Sequence, residues 1–151
     1  MSDNGAASIL IVDDEEDIRA VLSARLEAAG FHVGTVGNGM EALNRIRSET
    51  PNLIILDVML PGVDGFGVCA MVKRDQRFNR IPIIILTART QAQDRHTSFA
   101  LGADAYMTKP FRADELLGKI RELLDGHGNG SSPKPQPEGA DERVPASEAA
   151  S

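Results

Sequence analysis

Leu53-Ile54-Ile55-Leu56-Asp57-Val58-Met59-Leu60-Pro61-Gly62 runs four aliphatic residues straight into an acid and then breaks at a Pro-Gly turn. A short apolar run bounded in this way has the length and composition of a strand buried on both faces, as in a parallel sheet. Working outward, the arrangement recurs. Ile9 to Val12 ends at Asp13 and Asp14, Pro82 introduces Ile83 to Leu86 ahead of Thr87, Ala105 to Thr108 ends at Lys109, and Phe31 to Val36 reads as a fifth strand.

Between these runs the apolar residues change to helical spacing. Ile18, Val21, Leu22, Leu26 and Ala29 form one stripe, with Glu15, Glu16 and Asp17 where a helix dipole favours acids and Gly30 positioned to close the C-terminus. Leu43 and Ile46 mark a second helix, and Val68, Met71 and Val72 a third. A weaker fourth runs to about Leu101 with Gly102 as its C-cap, and Leu116, Leu117, Ile120, Leu123 and Leu124 give the last a broad apolar face. Strict alternation of strand and helix calls for right-handed crossovers and helices on both faces of a parallel sheet. The expectation is an α/β fold of three layers: a flavodoxin-like, five-stranded sheet of order 2-1-3-4-5 with five helices.

Composition sets the limits of that domain. The chain has 151 residues, 42% of them hydrophobic, only 4% aromatic and no Trp, so a single core must rest on aliphatic packing. The domain is expected over residues 8–125. Gly126 to Ser151 holds four Gly, four Pro and four Ser with Val144 as its one aliphatic residue beyond alanine, so it is read as a disordered tail, either a tether or a docking peptide. No run approaches the ~18 apolar residues of a membrane span, which points to a cytoplasmic protein with no membrane partner. A net charge of -6 argues against nonspecific nucleic-acid binding, and no helix-turn-helix pattern marks a DNA-binding output domain in this chain. Cys69 is the only cysteine, which excludes an internal disulfide, and His32, His96 and His127 share no metal-ligand spacing.

Ligands of such a sheet bind beyond the carboxyl ends of the strands, and the chain places its reactive side chains there. Asp13 and Asp14 follow strand one, Asp57 strand three, Thr87 strand four and Lys109 strand five. Three converging carboxylates repel one another and call for a cation. An oxygen-only donor set suits a hard ion such as Mg²⁺, with Asp14 and Asp57 as direct ligands and Asp13 acting through water. Asp57 is a carboxylate nucleophile, and Lys109 a compact positive charge for an incoming phosphoryl group.

The stretches Ile-Val-Asp13-Asp14-Glu, Leu-Asp57-Val-Met-Leu-Pro61-Gly-Val-Asp64-Gly65, Leu-Thr87-Ala88 and Tyr106-Met-Thr-Lys109-Pro110-Phe111 resemble those of response-regulator receiver domains of two-component signalling, of the single-domain chemotaxis-receiver kind. The resemblance covers residues 8 to 125. It implies phosphotransfer from a sensor histidine kinase or a phosphotransfer protein to Asp57, with self-catalysed transfer and dephosphorylation rather than enzyme turnover. It also implies a metal contact from the Met59 backbone carbonyl, a phosphoryl contact from Thr87, a cis peptide bond between Lys109 and Pro110, and a switch through Thr87 and Tyr106. That switch would be read out on the face of helix four, strand five and helix five, and Met59 and Arg89 would flank the approach of the hydrolysing water. Asp104 is followed by Ala105 where dimerising receivers often pair two acids, so a monomer or a weak phosphorylation-dependent dimer is expected. The rival classes are a Mg²⁺-dependent phosphohydrolase, a receiver that serves only as an interaction module, and a fragment of a longer transcription factor. The adjacent Asp13 and Asp14 lack the Asp-x-Asp spacing of the first.

Overall fold

The computed structural model describes residues 6–129. Five strands and five helices alternate: β1 (Ser8–Val12), α1 (Glu16–Ala28), β2 (His32–Val36), α2 (Gly39–Glu49), β3 (Leu53–Leu56), α3 (Gly65–Arg74), β4 (Ile83–Thr87), α4 (Ala92–Ala100), β5 (Ala105–Thr108) and α5 (Ala113–Asn129). All pairings are parallel and the sheet order is β2-β1-β3-β4-β5, as the alternation predicts.

The period of two along each strand sorts the core into two layers. Leu10, Val12, Ile54, Leu56, Ile83 and Ile85 pack with Ala42, Leu43 and Ile46 of α2 and Val68, Cys69 and Val72 of α3. Ile9, Ile11, Leu53, Ile55, Ile84 and Leu86 face the other way, against Leu22 and Leu26 of α1 and Leu116 and Ile120 of α5. The central strands are buried along their whole length, which is why they read as continuous aliphatic runs.

Helix ends follow local chemistry. Asn38 caps α2 by accepting from Glu41 N–H, and Asp64 caps α3 by accepting from Gly67 N–H, each at 2.9 Å. Gly30, Gly62 and Gly102 have positive φ where the chain turns back toward the sheet or leaves it. Gly65 is required for another reason: a Cβ there would run into the backbone of Asp57 and Val58, so α3 starts directly against the end of β3.

Three details depart from the sequence expectations. Val21 and Met71, counted in apolar stripes, stand about half exposed, because each helix buries a narrower arc than the spacing allows. Helix α5 runs to Asn129, past the expected boundary at Asp125: Leu123 and Leu124 pack on the core, and backbone bonding continues beyond the last anchored residue despite Gly126. The remainder of the expected tail, 130–151, lies outside the described residues. No helix among the described residues is long and apolar enough to cross a membrane.

Candidate functional site

Strand ladders extend into the loops at one edge of the sheet and fix the backbone of the reactive residues. Asp13 N–H donates to Val36 O at 3.2 Å, Asp57 N–H to Val12 O at 3.0 Å and Lys109 N–H to Thr87 O at 2.8 Å. The backbone at the start of each loop is therefore set by a neighbouring strand. Asp13, Asp57 and Thr87 are buried, and polar groups buried together need partners.

The two aspartates share Lys109 as their partner. Its Nζ lies 2.8 Å from Asp13 Oδ2, 2.8 Å from Asp57 Oδ2 and 3.1 Å from Glu15 Oε1. The other oxygen of each aspartate takes a backbone donor: Asp57 Oδ1 accepts from Met59 N–H and Asp13 Oδ1 from Glu15 N–H, both at 2.9 Å. Burial pushes the Asp13 carboxyl above its ordinary range, more than the bonds from Lys109 and Glu15 N–H pull it down. Burial also works against the Lys109 charge, but hydrogen bonds to Asp13, Asp57 and Glu15 outweigh it and hold the ammonium above its ordinary pKa. The peptide bond between Lys109 and Pro110 is cis.

The convergence differs in one respect from the expectation of three carboxylates. Asp13 and Asp57 meet on one ammonium, whereas Asp14 is exposed at the rim. Among the described residues no three acidic, His or Cys side chains form a ready metal-binding group. The donors nonetheless suit a hard cation: two buried carboxylates share one positive charge, and the burial-raised Asp13 would gain from a second. Glu15 is the contact that sequence reading assigned only to the helix dipole. The run of acids from Asp13 through Asp17 held the signal, but spacing alone could not say which of them would face Lys109.

Beyond Thr87 lies a second group of contacts. Thr87 Oγ1 accepts from Arg89 N–H at 3.3 Å, and Tyr106 Oη donates to Arg89 O at 2.7 Å. The Tyr106 ring is buried. Burial, then the nearby Asp94 charge, raises the Tyr106 phenol above its usual pKa. Cys69 is packed in the core with its thiol pushed up to about 11 by burial, and His32 and His96 are exposed, so none of them joins the site. Beside Lys109, Ile18, Val21, Arg25, Pro110, Phe111 and Ala113 line a cavity of about 260 Å³.

Comparison with known proteins gives the family. The family model of the response regulator receiver domain matches residues 9–121. The "Probable transcriptional regulator ycf27" of Guillardia theta is 47% identical over 116 residues, 77% of this chain and 44% of that protein. The chain thus spans about half the length of the curated relatives it matches. A CheY-like response regulator receiver domain protein from Methanospirillum hungatei superposes with a TM-score of 0.80 at 30% identity, covering 84% of this chain and 100% of that one. The receiver domain of a sensor histidine kinase from Pseudomonas aeruginosa, described with a magnesium ion coordinated in the active site cleft, superposes with a TM-score of 0.74 at 28% identity, covering 80% of this chain and 99% of that one.

Proposed function

Since this chain belongs to the response regulator receiver domain family, the phosphoryl-accepting switches of two-component signalling, we propose that it receives a phosphoryl group on Asp57 from a sensor histidine kinase or a phosphotransfer protein. The observation that carries the reading is the Lys109 ammonium held between Asp13 and Asp57 at 2.8 Å from each, with Thr87 buried at the next strand's end.

In the transfer, an Asp57 carboxylate oxygen bonds to the donor's phosphorus as the phosphorus–nitrogen bond of the phosphohistidine breaks. The imidazole nitrogen keeps the electron pair and takes a proton from solvent. Asp57 is oriented for attack by Met59 N–H, and Lys109 is positioned to follow the charge from the carboxylate to the phosphoryl oxygens. Asp13 and Asp57, with the exposed Asp14 and, as the resemblance implies, the Met59 carbonyl, are the groups that would hold Mg²⁺, which would supply charge neutralisation to the phosphoryl oxygens. Thr87 would donate its hydroxyl to the new acceptor and so alter the contacts around Arg89 and Tyr106. The cavity beside Lys109 offers a donor protein an apolar footing next to the acceptor, and the face of α4, β5 and α5 would carry the signal to a target protein.

A second reading of the output rests on the relatives, several of which are named transcriptional regulators. One of them is named a DNA-binding dual master transcriptional regulator, and the match covers 48% of it, so on this reading the receiver would act on a unit outside the matched residues.

Intact mass after incubation with acetyl phosphate tests the acceptor role. A single phosphoryl adduct that needs Mg²⁺ to form and is absent in Asp57→Asn is expected. An adduct retained in Asp57→Asn would move the acceptor elsewhere, and no adduct under any condition would leave a phosphate-independent interaction module.

A further inference from the structure

Arg19 stands in the first turn of α1 and reaches back over the start of its own helix. Its Nη1 donates to the backbone carbonyl of Asp13 at 2.7 Å, a short bond of the kind a charged donor makes. Glu15 and Glu16 precede it by four and three residues, the spacing at which an arginine can pair with an acid on a helix, yet among the described residues Arg19 makes no ion pair. The carbonyl, and not a neighbouring charge, is what the side chain has found. A Cβ at Gly37 would lie 3.2 Å from the same Nη1, so the guanidinium also rests against the β2–α2 loop.

The carbonyl that Arg19 holds joins two acids of the candidate site. It belongs to the peptide unit between Asp13 and Asp14, and because that unit is planar, fixing its oxygen also fixes how the chain enters Asp14. Asp13 has other restraints: its N–H bonds to Val36 O, its Oδ1 to Glu15 N–H and its Oδ2 to Lys109. Asp14 has none of these. Its side chain is exposed and, among the described residues, makes no hydrogen bond or ion pair, so only the backbone beneath it limits where its carboxylate can point.

We propose that Arg19 is a positioning residue for Mg²⁺: by holding the Asp13 carbonyl, it keeps Asp14 at an angle from which its carboxylate can join Asp13 and Asp57 around the ion. The proposal rests on the reading given above, in which these acids hold the metal. Ligands that are ordered beforehand bind more tightly than ligands the ion must itself order. Arg19 acts on the metal in two opposed ways, since its charge repels a cation while its bond orders a ligand. The charge sits on a partly exposed side chain and is screened by salt, whereas the bond acts on the ligand's own backbone, so the ordering effect governs.

Calorimetric titration of the unphosphorylated full chain with magnesium chloride, at physiological ionic strength, tests this without phosphoryl transfer. Arg19→Met keeps the length of the side chain and removes both the charge and the donor. It should raise the Mg²⁺ dissociation constant about tenfold, the lower end of what loss of such an outer contact costs. Arg19→Lys, which returns a charged donor, should recover part of that loss. An unchanged constant in Arg19→Met would overturn the proposal, and so would a lowered one, which would mean that only the charge of Arg19 is felt. A second measurement needs no metal: the Asp13 carbonyl-carbon resonance should shift in Arg19→Met and move back toward its original position in Arg19→Lys. A resonance that stays in place in both variants would show that the bond is not made in solution and would defeat the idea. If the native chain takes up no Mg²⁺ while the carbonyl shift appears as expected, the metal reading of the site fails and the proposal falls with it; if the native chain binds Mg²⁺ and Arg19→Met binds it equally well, only the proposal falls.

Discussion

The Lys109 ammonium donates to Asp57 Oδ2 at 2.8 Å across 52 positions of sequence, and the same nitrogen reaches Asp13 Oδ2 at an equal distance. One cation is thus shared by two buried carboxylates that follow different strands. The arrangement is electrostatically poised, since either an added cation or a phosphoryl group would redistribute the bonds of Lys109.

Removing that charge should be costly. Lys109→Met leaves two buried like charges facing each other, and a loss of about 3 kcal/mol in unfolding free energy at pH 7 is expected. The loss should shrink as the pH falls and the carboxyls take up protons. Urea denaturation at pH 7 and at pH 4 measures it, and a loss that does not change with pH would mean that packing rather than charge is responsible.

Asp13 behaves in the opposite sense. Its folded pKa is raised, so the folded state holds its proton to higher pH than the unfolded state, and stability falls as pH rises from the unfolded value through the folded one. Asp13→Asn should therefore stabilise the protein at pH 7, by on the order of 1 kcal/mol after allowance for solvent screening, and the gain should fade below about pH 4. Melting curves of the two proteins across that range would refute the assignment if the variant were less stable at pH 7.

Gly65→Ala tests how closely α3 is built onto the acceptor strand. A methyl group there meets the carbonyl of Asp57 and the backbone of Val58, which cannot rotate away. The expected cost is roughly 2 kcal/mol or more, together with weakened phosphoryl uptake because Asp57 must shift. Gly118→Ala, where the space is open, is the control and should be neutral or slightly stabilising.

Tyr106→Phe removes only the bond to the Arg89 carbonyl. A loss of about 1 kcal/mol is expected, with the ring still buried. Proton resonances of the ring would show whether it keeps its place. A ring that moves to solvent would mean that the hydroxyl, and not the apolar contact, holds it.

The strands, their order and the placing of Asp13, Asp57, Thr87 and Lys109 at one edge were legible in the chain itself. Buried parallel strands need unbroken aliphatic runs, and the residue that ends such a run sits where ligands bind. Glu15, Asp94 and the narrower buried arcs at Val21 and Met71 were not legible. Neighbouring acids such as Asp13, Asp14 and Glu15 are alike in one dimension, and the loop after β1 alone decides that the first and third face Lys109 while the second faces water. The bond from Arg89 goes to an acid that nothing in the sequence marked, and it exists because the β4–α4 turn brings the two onto the same side of a helix end. Period and composition are properties of the chain, and they determined the fold and the list of reactive residues. Which charge meets which depends on distances of a few ångströms between separate elements, and only the packed tertiary structure sets those.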